Sequence, residues 1–363
     1  MNSTIRRACT AALCGALGVL VLAACGSGSG SSSSGGDSKT VTLVTHESFN
    51  VSPKVLKDFE KQSGYKVDVL KSGDAGEIVN KAVLSKGNPQ GDVLFGVDNT
   101  LLSRALDNNL FTAYEAKGLD RVPEDVQLDA GKHRVTPVDT GDICVNYDKK
   151  YFADKKLAPP KTLDDLIKPE YKNLLVTENA ATSSPGLGFL LATAAKYGDE
   201  GWQDYWKKLK ANGVKAVDGW EQAYNEEFSG SAGGKKAKGD RPLVVSYASS
   251  PPVEVLYAKP QPKEAPTGVA TGTCFQQTEF AGLLDGAKNE KGGKALIDFL
   301  ISKKFQDDMP LNMFVKPVAK DAELPELFTK FGVTADKPYT VDPKKIADHR
   351  EDWVKTWQSL VLK

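Results

Sequence analysis

Histidine is scarce in these 363 residues. His46, His133 and His349 stand far apart, with no H-x-x-H or H-E-x-x-H spacing, so the usual ligand pattern of a catalytic zinc is missing. No G-x-S-x-G nucleophile elbow, Walker loop or dinucleotide fingerprint occurs, which removes the common hydrolase, NTPase and dehydrogenase signatures. The S-x-x-K match from Ser63 to Lys66 straddles a helix stop and a strand start. It lacks its S-D-N and K-T-G companions and reads as chance. An excess of charge of one sign is also absent, because 47 Lys and Arg balance 47 Asp and Glu. Without a basic stripe, nucleic acid is excluded as a partner. No enzymatic chemistry is called for by any of these residues.

What is present begins at the N-terminus. Arg6 and Arg7 precede the apolar run ACTAALCGALGVLVLAAC, which ends in Leu22-Ala23-Ala24-Cys25. A basic start, a short apolar core and small residues at the end describe an export signal over residues 1–24 rather than a spanning helix. The LAAC ending resembles a bacterial lipobox, which implies cleavage before Cys25 and acylation of its thiol. The protein is then expected on the extracytoplasmic face of the plasma membrane, held by a lipid anchor at Cys25. Residues 25–38 continue with GSGSGSSSSGGDS, a flexible spacer with nothing apolar to bury. Of the five cysteines, Cys9 and Cys14 leave with the signal and Cys25 carries lipid. Cys144 and Cys274 remain, an even pair in an oxidising compartment, either bridged or separately buried.

Beyond the spacer, β-rich runs alternate with amphipathic ones: TVTLVTH, then SPKVLKDFEKQSG; YKVDVLKSG, then AGEIVNKAVLSKGN; GDVLFGVD, then NTLLSRALDNNLF. That alternation argues for an α/β fold with a parallel sheet, whose ligands bind beyond the carboxyl ends of the strands. Those ends are THESF with His46, SGDAG with Asp74 and Ala75, and VDNT with Asp98. A second α/β block starts at TGDICVNYD and contains TSSPGLGF, where Ser184 is expected to cap a helix with Pro185 behind it. The helices FLLATAAKYG and EGWQDYWKKLKANG follow, and SGSAGGKKAKGD (229–240) reads as a surface loop. Trp353 and Trp357, one turn apart near the C-terminus, are assigned to packing. The body is longer than one core usually serves, which suggests two lobes.

Aromatics and hydroxyls gather at segment ends. Trp220 and Tyr224 in VDGWEQAY share a helix face, and Tyr247 leaves its strand directly into Ala248, Ser249 and Ser250. Phe314 sits in a loop beside Asn312. Trp220 and Tyr247 suit a flat, cationic ring, and the carboxylates of Asp74 and Asp98 answer positive charge. So many such groups at loop ends favour a pocket between two lobes.

The segments THESF, GDVLFGVDNTLL, TSSPGLGFLL, DGWEQAY, VVSYASSP and MPLNMFVKPVA are similar, in order, to the thiamine-binding solute-binding proteins of ABC importers. The resemblance implies a type II periplasmic-binding-protein fold, with mixed sheets and two α/β lobes joined by a hinge. Lobe 1 would hold 39–138 with about 272–315, and lobe 2 139–271 with about 316–363. It implies ligand contacts at Asp74, Ala75, Ser183, Ser184, Trp220 and Tyr247 through Ser250. His46 and Phe314 stand where the family shows Tyr and Trp, and Val253 replaces another aromatic. Thiamine or a thiamine phosphate is the implied cargo, with no cofactor. An ABC permease and its ATPase are the implied partners of a monomer. Ferric ion, a polyamine, or a lipid-anchored hydrolase built on His46 and a serine are the alternatives.

Overall fold

A computed structural model describes residues 38–231 and 239–363. The export signal, Cys25, nearly all of the spacer and positions 232–238 of the Gly/Lys-rich insert lie outside the described residues. Asp37–Lys363 forms one unit, and none of its described helices is long and apolar enough to cross a membrane.

Among the described residues the β-rich runs become ten strands of one mixed sheet: β1 Thr40–Thr45, β2 Lys66–Lys71, β3 Val93–Asp98, β4 Phe111–Thr112, β5 Thr136–Asp148, β6 Leu175–Glu178, β7 Lys215–Val217, β8 Leu243–Tyr247, β9 Thr267–Leu284 and β10 Lys316–Pro317. Their order is β2-β1-β3-β9-β5-β8-β6-β7, with β4 on β9 and β10 on β5. Two parallel triads, β2-β1-β3 and β8-β6-β7, therefore flank the long antiparallel pair β9 and β5. The carboxyl ends of both triads supply the loops at which ligands of such sheets gather.

The alternation read from the sequence holds because each strand is followed by a helix with its own stop and start. Ser52 accepts from the Val55 N–H to begin the helix Pro53–Ser63, and Gly64 ends it at φ 75°, a conformation that favours glycine. Asp74 caps the helix Ala75–Leu84. Beyond TSSP the reading needs correction. The helix runs Ser184–Ala211 with Ser183, not Ser184, at the cap position and no side-chain cap bond. The Ser184 hydroxyl instead accepts from Gln277 Nε2 at 2.9 Å, so a tertiary contact outcompetes the local one. The two helices expected here join across a break at Gly198, at φ 75° and ψ −176°.

Trp357 is fully buried and meets Trp206 edge-on, ring centroids 5.4 Å apart. Trp353 is buried beside it. The packing role assigned to this pair is the one observed. Cys144 and Cys274 form a disulfide between β5 and β9, which settles the alternative left open by the sequence.

Candidate functional site

A cavity of about 580 Å³ opens where the carboxyl ends of the two triads face each other. From the first triad, β1 delivers His46 and Glu47, and β2 delivers Lys71, with Asp74 and Ala75 following. From the second come Ser184 after β6, Trp220 after β7, and Tyr247 and Ser250 at the end of β8. Phe314 reaches in from the loop before β10, and Val253 lines the same wall.

Trp220 and Tyr224 form the aromatic wall. The wide π-helical turn Gln222–Glu227 lays their rings parallel, centroids 5.0 Å apart and 15° between planes. Such turns, with one residue too many for an α-helix, recur at functional sites. Tyr224 is buried and spends its hydroxyl on Glu254 Oε1 at 2.7 Å, so it backs the outer ring. Trp220 is half-buried, and its Nε1 donates to Ser246 Oγ at 2.9 Å, which fixes the plane of the indole. Tyr247 lies 6.4 Å away at 52°.

Asp74 joins the two sides. Its Oδ1 caps the Ala75 N–H, and its Oδ2 accepts the Trp220 N–H at 2.9 Å. Burial raises its pKa, opposed by the N–H groups of Trp220 and Ala75. Gly219 leaves room beside it: a Cβ there would lie 3.2 Å from Asp74 Oδ2 and 3.4 Å from Glu47 Oε1, close enough to press on both carboxyl groups. Thr182, the first hydroxyl of TSSP, donates to the Asp218 carbonyl at 2.6 Å and accepts the Glu77 N–H on its own carbonyl at 3.1 Å. Asp74→Ala is expected to remove a helix cap worth roughly 0.5–2 kcal/mol. Asp74→Asn keeps an acceptor and should retain most of that stability while losing the charge. Denaturant melts of the two variants separate the roles, and equal losses would show that the charge, not the cap, is what stabilises.

Phe314 adopts φ 59°, an uncommon backbone state for a bulky residue. Ser249 holds it there by donating to its carbonyl at 2.7 Å. Its ring stacks on Phe328, centroids 6.3 Å apart.

Of the residues singled out from the sequence, His46, Asp74, Ala75, Ser184, Trp220, Tyr224, Tyr247, Ser250 and Phe314 line the cavity. Four others support it from behind. Ser183 is buried beside Asp74, and Ala248 is buried against Val333. Ser249 positions Phe314. Asp98 is drawn below the floor, where its carboxylate accepts from Thr100 Oγ1 at 2.6 Å, Gln277 Nε2 at 2.8 Å and two backbone N–H groups. A strand-end carboxylate followed by Asn-Thr folds back on its own turn, which is why it does not reach the cavity.

Sequence reasoning missed Glu47, Lys71, Glu221 and Glu279, all of which line the cavity. Glu47 and Lys71 lie beside residues already singled out. Glu279 sits within the continuous strand β9, where nothing local distinguishes it. The lining thus carries four carboxyl groups, Glu47, Asp74, Glu221 and Glu279, against the ammonium of Lys71, which donates to the Glu47 carbonyl at 3.1 Å. Burial raises Glu47, and Asp74 and Glu221 raise it further. Burial, then the Lys71 charge, pushes His46 down to about 4. His46 is neutral at physiological pH, and its Nδ1 lies 2.8 Å from Ser48 Oγ. The cleft is acidic and aromatic, a combination that selects flat cations.

A family model described as bacterial extracellular solute-binding protein matches residues 88–250. The chain is 30% identical over 330 residues to the thiamine-binding periplasmic protein of Salmonella typhimurium, covering 88% of this chain and 93% of that one. A solved periplasmic thiamin binding protein superimposes with a TM-score of 0.75 at 27% identity, over 89% of this chain and 96% of that one. The ferric binding protein from Campylobacter jejuni aligns at a TM-score of 0.69 with 18% identity, over 88% of this chain and 99% of that one, a likeness of fold alone.

Proposed function

The chain belongs to the bacterial extracellular solute-binding proteins, and we propose that within them it is the receptor that captures thiamine and delivers it to an ABC importer. The observation that carries this reading is the pairing of the Trp220 and Tyr247 rings with four carboxyl groups in one cavity. Thiamine combines a permanently charged thiazolium with a flat aminopyrimidine. Stacking on a cation contributes roughly 0.5–2 kcal/mol per ring, more as water is excluded. The carboxyl groups supply acceptors for the amino group and a negative field for the thiazolium. The hydroxyethyl end, or a phosphate on it, is assigned to the start of the helix Ser184–Ala211, where Ser184 lines the cavity and the helix dipole is positive.

Lobe 1 at 39–138 with about 272–315, and lobe 2 at 139–271 with about 316–363, are part of the same proposal, as are the lipid anchor at Cys25 and the monomeric state. One core cluster, which includes Val41, Phe59, Val138, Leu283, Phe299 and Met309, draws on 39–138 and the stretch after 272 but also takes in Val318, and a second packs Val44 and Leu94 with Phe189 and Trp206 across the proposed boundary.

Ferric ion would want tyrosinates and carboxylates converging as hard oxygen ligands. Among the described residues no group of three His, Cys, Asp or Glu is placed to hold a metal ion, and burial holds the Tyr247 pKa well above its ordinary value. The His46–Ser48 contact is the arrangement a hydrolase would need first. It lacks the third partner, because Glu279 Oε1 stands 4.0 Å from His46 Nε2, too far to orient the ring by a hydrogen bond.

Calorimetric titration of residues 39–363 with thiamine, thiamine monophosphate, Fe(III) and spermidine tests the reading. One-to-one binding of thiamine is expected, with little or no heat from Fe(III) or spermidine. The ratio of the two thiamine affinities measures the Ser184 end of the cleft. Tight binding of Fe(III) or spermidine with no response to thiamine would overturn the proposal.

A further inference from the structure

Three carboxyl groups lie in a row at and beneath the floor of the cavity. In the register of the sheet, Glu279 of β9 stands opposite Asp98 of β3 on one side and opposite Asp139 of β5 on the other. Directly paired residues project from the same face of a sheet, so the three are brought side by side. All are buried, and Glu279 alone reaches the cavity.

Their surroundings divide the row. Asp98 accepts from Thr100 Oγ1, from the backbone N–H groups of Thr100 and Leu101, and from Gln277 Nε2. Burial raises Asp98, and these donors oppose that rise by favouring its ionised form. Apart from the Glu279 carboxyl that it faces, Asp139 has no hydrogen-bond partner for either oxygen among the described residues. Two adjoining buried carboxyl groups beside a third cannot both be charged at low cost, and the ordinary solution is one proton held between them.

The charged and titratable groups packed around the pair do not supply a compensating cation. His46, beyond β1, has Nε2 4.0 Å from Glu279 Oε1, and that atom is buried without a hydrogen-bond partner. Asp74 and Tyr247 line the same cavity as Glu279 and interact with it electrostatically. Lys71 acts on His46 and Glu47. Lys316 of β10, next to the Asp139 position, turns its ammonium to Thr334 Oγ1 at 2.9 Å and the Val333 carbonyl.

We propose that Asp139 and Glu279 share about one proton in the ligand-free protein and release it to solvent when a cationic ligand enters the cavity, so that binding is proton-linked. The balance is simple: the pair goes from one proton to none, the ligand brings one positive charge, and the proton leaves to water. Glu279 becomes the counter-ion of the ligand, with Asp139 as the positioning residue that holds the proton until it arrives. Burial first, then the neighbouring carboxyl groups, displaces Glu279 upward, and burial displaces Asp139 upward. The linkage sign follows. Ligand-free stability falls as pH rises above the ordinary carboxyl range, because the folded state holds a proton that the unfolded chain gives up. Thiamine affinity rises over the same interval.

This inference rests on the thiamine reading, and the experiment keeps the two apart. Infrared difference spectra of the ligand-free protein at neutral pH are expected to show a protonated carboxyl that is absent in Asp139→Asn, whose amide donates to Glu279 and leaves it ionised. Calorimetry with thiamine in two buffers of unlike ionisation heat counts the protons released. About one is expected in the wild type and none in Asp139→Asn, with binding retained in that variant. Glu279→Gln should lose both the release and a large part of the affinity. Thiamine binding with no proton release in the wild type, or the same release in Asp139→Asn, overturns the inference and leaves thiamine as the ligand. A protonated carboxyl in the infrared with no response to thiamine overturns the ligand reading and the release that depends on it.

Discussion

Trp220→Ala is expected to weaken thiamine binding by about tenfold to a few hundredfold while the protein stays folded. The cation–ring attraction alone, roughly 0.5–2 kcal/mol, gives about two- to thirtyfold at about 1.4 kcal/mol per tenfold change, with tenfold near its middle. The upper end adds the apolar area of the indole face that the ligand covers, at roughly 25 cal/mol per Å². The fold should tolerate the change because Trp220 is half-buried and its structural hydrogen bond to Asp74 comes from the backbone N–H, which alanine keeps. The contrast is Trp206, fully buried between Phe189 and Trp357, where truncation to Ala belongs to the class costing about 3–5 kcal/mol of stability. Trp220→Phe should recover part of the lost affinity, since it restores a ring but not the donor to Ser246. A Trp220→Ala protein that binds thiamine as the wild type does would remove the stacking model.

The second large effect concerns stability. Replacing Cys144 and Cys274 together by Ala is expected to lower unfolding free energy by roughly 2–5 kcal/mol, the range seen when a native disulfide closing a long loop is removed. The bridge spans 130 residues of sequence, so the reduced unfolded chain regains much freedom. It also ties β5 to β9 where their pairing shifts register, between Ile143 and Val145. Thiamine affinity should change little, because neither cysteine lines the cavity. Chemical denaturation of the oxidised wild type and the double variant measures the difference. A midpoint unchanged at constant slope would show that the backbone pairing of β5 and β9 already holds this crossing without the bridge.

The sequence by itself determined the local events. The strand–helix alternation, the helix starts at Ser52 and Asp74, the stop at Gly64 and the packing of Trp353 and Trp357 depend on propensity, capping and periodicity, which act over a few residues. Those same rules bring polar groups to strand ends, so most of the cavity lining was legible as THESF, SGDAG, DGWEQAY and VVSYASS. The reading failed where a tertiary partner, or an unweighed local turn, claimed a side chain. Ser184 gave up its cap for Gln277, and Asp98 turned away from the cleft to satisfy its own turn. Only the tertiary structure decided that Glu279 lies between Asp98 and Asp139, and that Glu47 and Glu221 close on the same space. Those residues are separated by long stretches of chain, and strand order and register set their meeting. A pattern of neighbours along the sequence carries no record of which strand will lie beside which.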